Sequence, residues 1–95
     1  MNIKRIKVWN LESSRSNRPV ANQFVIETTD GNYFQSYKTI IAFIDCFGRI
    51  TLDFDSWNYS VTTLKYLKVF LNTSLSKQEI QKQIDNGFYK TANLN

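Results

Sequence analysis

Histidine is absent from this chain of 95 residues, and cysteine, proline and methionine occur once each. Without histidine there is no Ser-His dyad, and the commonest general base and metal ligand are missing. Cys46 has no partner for an internal disulfide, so nothing points to an oxidising compartment. The three glycines, Gly31, Gly48 and Gly87, stand far apart and make no phosphate-cradling loop. No run of apolar residues is long enough to span a bilayer. The first ten residues carry Lys4, Arg5 and Lys7 and lack the apolar stretch of a secretion signal. A soluble, cytoplasmic protein with no cofactor and no membrane partner is the expectation.

What is abundant is aromatic: seven Phe, five Tyr and two Trp make 15% of the chain. Rings carry the largest burial term per residue, so most of them belong in a core. A length of 95 residues holds one such core, and 1–95 is read as a single domain. The net charge of +4 is localised. Residues 1–20 hold five basic side chains against Glu12 alone, and the remainder holds seven of each sign. That excess suits an anionic partner, and it equally suits a solvated strand face.

The first two thirds alternate with period two. Residues 3–10 read as a strand, with Ile6 and Val8 opposite Arg5, Lys7 and Trp9. A polar loop over 12–19 ends at Pro19, and 22–28 resumes as a strand with Phe24 and Ile26 on the expected core face. A turn at Thr29 to Asn32 leads to a third strand over 33–37. Residues 39–45, apolar on both faces, make a fourth, and Ile50 to Asp55 a fifth after a turn at Gly48. From Trp57 the period lengthens. Val61, Leu64, Leu67, Phe70 and Leu71 predict one helical stripe, capped at Ser60 or Thr62. Ser76 and Glu79 stand at capping-box spacing, Leu75 and Ile80 at the spacing of a hydrophobic staple, and Gly87 at a C-terminal stop. The expected fold is α+β: a five-stranded antiparallel meander within a β-rich 1–55, two helices within 60–87 packed on one face, and a frayed tail at 91–95.

Several segments together resemble a known family. They are Glu12-Ser-Ser-Arg-Ser with Pro19-Val-Ala-Asn-Gln-Phe, Tyr33-Phe-Gln-Ser-Tyr with Thr39-Ile-Ile-Ala, and Trp57-Asn-Tyr-Ser-Val-Thr-Thr with Lys65-Tyr66 and Phe70-Leu71. The pattern is similar to small proteins of unknown function encoded by phages and mobile elements of low-GC Gram-positive bacteria. Cys46-Phe47 departs from it, since relatives are more polar there. The resemblance implies a setting, the host bacterial cytoplasm, and by association an anti-defence role against a host protein complex.

Candidate chemistry is sparse. Asp53 and Asp55, at i and i+2, are the best pair of carboxylates for a metal, against the plainer reading of a solvated strand face. Catalysis is therefore not expected. The 12–19 loop, with Ser13, Ser14, Arg15, Asn17 and Arg18, is rich in donors suited to phosphate or carboxylate recognition. With Trp9 and Tyr37 as aromatic anchors, it is the candidate surface for a protein partner. The alternative is a single-stranded nucleic-acid module in which Lys4, Arg5 and Lys7 track phosphates and Trp9, Tyr33 and Tyr37 stack bases. A monomer and a homodimer are equally compatible with the sequence.

Overall fold

A computed structural model describes residues 6–12 and 18–95. The described residues form an α+β fold, with a mostly antiparallel sheet of six strands and two helices. The elements are β1 (Lys7–Glu12), β2 (Pro19–Thr28), β3 (Gly31–Ser36), β4 (Thr39–Asp45), β5 (Ile50–Asp53), α1 (Val61–Leu71), α2 (Lys77–Asp85) and β6 (Tyr89–Ala92). Strands β1 to β5 form the expected meander in spatial order. The sixth strand was not anticipated. The chain returns through α1 and α2 to lay β6 parallel to β5, with Ile50 opposite Tyr89 and Asp53 opposite Ala92.

This return also corrects the expectation of a frayed tail. Thr91 and Ala92 lie in the sheet, and Asn95 reaches back to Ile40. Its side-chain oxygen accepts from Ile40 N–H at 2.7 Å and its Nδ2 donates to Ile40 O at 2.9 Å. One amide side chain thus pairs like a strand residue with the backbone of β4.

Cross-strand register separates the two faces. Val25, Phe34, Ala42 and Leu52 are mutually opposite along one row, and all four are buried. They join Leu67 of α1, Ile80 of α2 and Trp57 in one core, with Phe34 and Phe70 stacked at 5.6 Å. Phe24 and Ile26, expected on the core face, lie on the other face, and Gln23 and Val25 are buried in their place. Residues 24–26 are apolar at every position, so alternation could not choose between faces; the pairing of Val25 with Phe34 does. In β4, Ile41 is an extra residue between the pairs Phe34–Ala42 and Gln35–Ile40, a bulge that buries both Ile41 and Ala42.

Several boundaries also moved. The strand expected over 3–10 is described from Lys7 and runs to Glu12. β5 ends at Asp53 rather than Asp55, because Asp53 O accepts Ser56 N–H and Trp57 N–H and turns the chain. In α1 the N-cap is Ser60, whose side chain accepts Thr63 N–H. That start leaves Val61 86% exposed, against its expected place in the stripe, and buries Thr63, whose hydroxyl is bonded to Ser60. Gly31 is required by close approach. A β-carbon there would strike Ile44 O and come within 2.7 Å of Asp45 Cα.

The second helix forms as its sequence dictates. Ser76 Oγ accepts Glu79 N–H and Glu79 Oε1 accepts Ser76 N–H. At the other end Gly87 N–H returns to Ile84 O and Phe88 N–H to Gln83 O, closing the helix with a left-handed glycine at φ 82°. Replacing Ser76 with Ala removes the cap and should lower unfolding free energy by about 1 kcal/mol. Urea denaturation monitored by circular dichroism measures the change.

Candidate functional site

Asp53 and Asp55 do not share a strand face. Asp53 is buried and Asp55 lies beyond the strand in the following turn, exposed. Burial alone would raise the Asp53 pKa. Hydrogen bonds from Leu94 N–H at 2.9 Å, the side chains of Ser56 and Asn95, and the Asp55 backbone outweigh it and hold the carboxyl below its ordinary value of 3.8. The group therefore fastens the returning tail to the end of β5. Asp45 is engaged in a similar way. Its carboxylate accepts Phe47 N–H and Arg49 N–H and pairs with Arg49 Nε at 2.7 Å, and Arg49 lies over the Phe47 ring. Desolvation raises the Asp45 pKa, and the contacts to Arg49 and Phe47 more than offset it. Among the described residues no three His, Cys, Asp or Glu side chains cluster as metal ligands would.

The two sets of aromatics expected to form one platform fall on different faces. Trp9 pairs with Val25, and Lys7 with Glu27, so both share the face of buried Phe34. Tyr33 points to the other face, stacked on Phe43 with ring centroids 4.4 Å apart. Lys4 and Arg5, like Ser13, Ser14, Arg15 and Asn17 of the loop, lie outside the described residues. Arg18 is described and exposed at the start of β2.

Two arrangements stand out. The first is the face that bears Tyr33. Its register runs Val8, Ile26, Tyr33, Phe43, Thr51 and Lys90 across all six strands, flanked by Phe24 and Ile40. None of these residues is buried, and Val8 is 58% exposed. The apolar members span β1 to β4; of these the sequence singled out Tyr33 as a stacking residue, whereas Phe24 and Ile26 were expected in the core.

The second is a cleft of about 870 Å³ at the end of the sheet where β3 turns into β4. Asn22, Tyr37, Lys38, Asp55, Ser56 and Tyr59 are among its lining residues. Tyr37, one of the two expected aromatic anchors, is among the residues that line it. It occupies a two-residue turn at φ 56°, a left-handed conformation in which a β-carbon costs on the order of 1–2 kcal/mol. Asn22, at φ 66°, shares that conformation and accepts Tyr37 N–H at 2.7 Å, while Gln35 Nε2 donates to Tyr37 O. Both backbone groups of Tyr37 are thus engaged, and the residue remains 59% exposed. No sequence signal marked this turn, because Tyr37-Lys38 lacks the Gly or Asn usual at such positions. Nor did one mark Tyr59, 79% exposed, which the turn after β5 brings to the same cleft.

The folded pKa of Asp53 lies below its unfolded one, so its contribution to stability is fully present above pH 3.8 and is lost as pH falls through the lowered value. Asp53→Asn should cost stability at neutral pH and flatten the acid limb of the stability profile below pH 3.8. Thermal melts of both proteins across that range test the sign.

A family model matches residues 6–86, and the chain belongs to that family of unknown function, DUF8033. No curated protein and no solved structure matches it. The resemblance read from the sequence holds to that extent, a family without an assigned function. No helix among the described residues is long and apolar enough to cross a membrane.

Proposed function

We propose that this member of DUF8033 is a binding module that docks a protein partner on the sheet face bearing Tyr33 and Phe43. The observation that carries the reading is the apolar row Val8, Ile26, Tyr33 and Phe43, which crosses four strands with no member buried. The helices contribute to the core on the opposite face, through Phe70 on Phe34, and the reading takes the Tyr33 face to be left for a partner. A contiguous apolar patch with aromatic anchors is the usual mark of a protein interface. A nucleic acid would call for basic side chains among the rings. On this face Lys90 stands at the far edge, and the row from Val8 to Phe43 carries no charge.

The biological setting in this reading follows the resemblance. A phage-encoded accessory protein works in the host bacterial cytoplasm, and a host protein complex, such as a defence system, is the partner class. Arg18, exposed at the start of β2, would supply a polar contact at the rim.

Capture from host extract with tagged protein, with and without nuclease and at low and high salt, tests the proposal. The expected result is a discrete protein complex that survives both treatments with the native sequence and is lost with Tyr33→Glu. A melting temperature for the variant confirms that it is folded. Equal recovery of the complex by folded Tyr33→Glu, or recovery of nucleic acid alone, would contradict the reading.

A further inference from the structure

The cleft beside Tyr37 meets the flank of the proposed docking row at Phe24 but has a different chemistry. At about 870 Å³ it falls within the roughly 300–1,000 Å³ typical of sites that enclose small organic ligands. Three kinds of group meet there. Tyr37 and Tyr59 offer ring faces, Asn22 and Ser56 offer neutral hydrogen bonds, and Lys38 and Asp55 carry opposite charges. The ion pair found among the described residues is Asp45–Arg49, in the β4–β5 turn, so neither Lys38 nor Asp55 is neutralised within the described fold.

The backbone around the cleft is held in unusual conformations. Asn22 and Tyr37 are both left-handed and are tied together by a 2.7 Å hydrogen bond. A bulge in β4 adds Ile41 to the lining. Strained non-glycine residues and bulges concentrate where a side chain must be aimed at a ligand. Glycine would form the Tyr37 turn without strain, so the tyrosine ring is what the site retains. Next to these two residues, Gln23 and Ser36 pair across the strands and are buried, yet Gln23 Oε1 and Ser36 Oγ have no partner among the described residues. Both atoms lie on the side of the sheet that carries Val25 and Phe34, and neither residue lines the cleft.

We propose that this cleft binds a nucleotide unit. The base stacks on Tyr37 and Tyr59, the sugar hydroxyls donate to the Asp55 carboxylate, and the phosphate meets the Lys38 ammonium. Each part of a nucleotide has a counterpart in the lining: an aromatic face, an acceptor for a diol, and a cation. Two sources share this chemistry, a free mononucleotide and one nucleotide of a single strand.

Titration of isotope-labelled protein with the four nucleoside monophosphates, and separately with short single-stranded oligonucleotides, tests the proposal by NMR. Saturable shifts of the Asn22, Tyr37, Lys38 and Tyr59 amides are expected, with weaker binding of a nucleoside that lacks phosphate. Saturation at lower concentration by the oligonucleotide identifies a strand as the source, and the converse a free nucleotide. Tyr59→Ala and Tyr37→Gly should each weaken binding about tenfold, the effect of losing one stacking ring. Tyr37→Gly should melt no lower than the native protein, because it relieves the left-handed strain. Absence of saturable shifts, shifts confined to β1 around Lys7, or unchanged affinity in both variants would overturn the assignment. Tyr33→Glu leaves this cleft intact, so failure of the docking proposal and failure of this one are separable.

Discussion

Everything in this fold depends on the row Val25, Phe34, Ala42 and Leu52, which is sealed by Phe70, Leu67 and Ile80. An isolated meander of this length has no buried face and little stability of its own. Packing α1 and α2 onto that row creates the core and fixes the strand register, because a slip of one residue would turn Phe34 outward and Tyr33 inward. It also determines what lies on the reverse side. With Val25 and Phe34 committed to the core, their neighbours Ile26 and Tyr33 must occupy the other face, and they form an apolar row there.

The polar residues divide along similar lines. Several of the most conspicuous serve the backbone: Asp45 closes the β4–β5 turn, Asp53 anchors the tail, and Ser76 with Glu79 starts α2. The bonds of Asp45, Ser76 and Glu79 are local, and that of Asp53 ties the distant tail to β5. Lys38, Asp55 and Tyr59 make none of the hydrogen bonds or ion pairs seen among the described side chains, and all three reach the cleft. The apolar row on the Tyr33 face and the mixed chemistry of the cleft are thus two surfaces of one small scaffold that meet at Phe24.

Much of the fold was legible in the sequence. The meander, the turn at Gly48, and the Ser76–Glu79 box with its closing Gly87 are local signals, and local hydrogen bonds realise them. What escaped was non-local. β6 is a short polar segment, Tyr-Lys-Thr-Ala, whose strand conformation comes from pairing with β5 and from Asp53 and Asn95 at its end. The facing of Phe24 and Ile26 depended on a partner strand, since three successive apolar residues carry no period. In the same way Val61 gave way to Thr63 because a cap, rather than hydrophobicity, set the phase of α1. The candidate surfaces were the least legible. Tyr37 was singled out for its ring, but its left-handed turn and the approach of Tyr59 come from tertiary contacts alone.

The central proposal is that the face opposite the buried row is the one left accessible for a partner. Solvent accessibility measured by NMR with a soluble paramagnetic probe tests it directly on the native protein. The account predicts strong broadening of Val8, Ile26, Tyr33 and Phe43 side-chain signals and protection of Val25, Phe34, Ala42 and Leu52. Equal protection of both sets would mean that the Tyr33 face is already covered, and would contradict it.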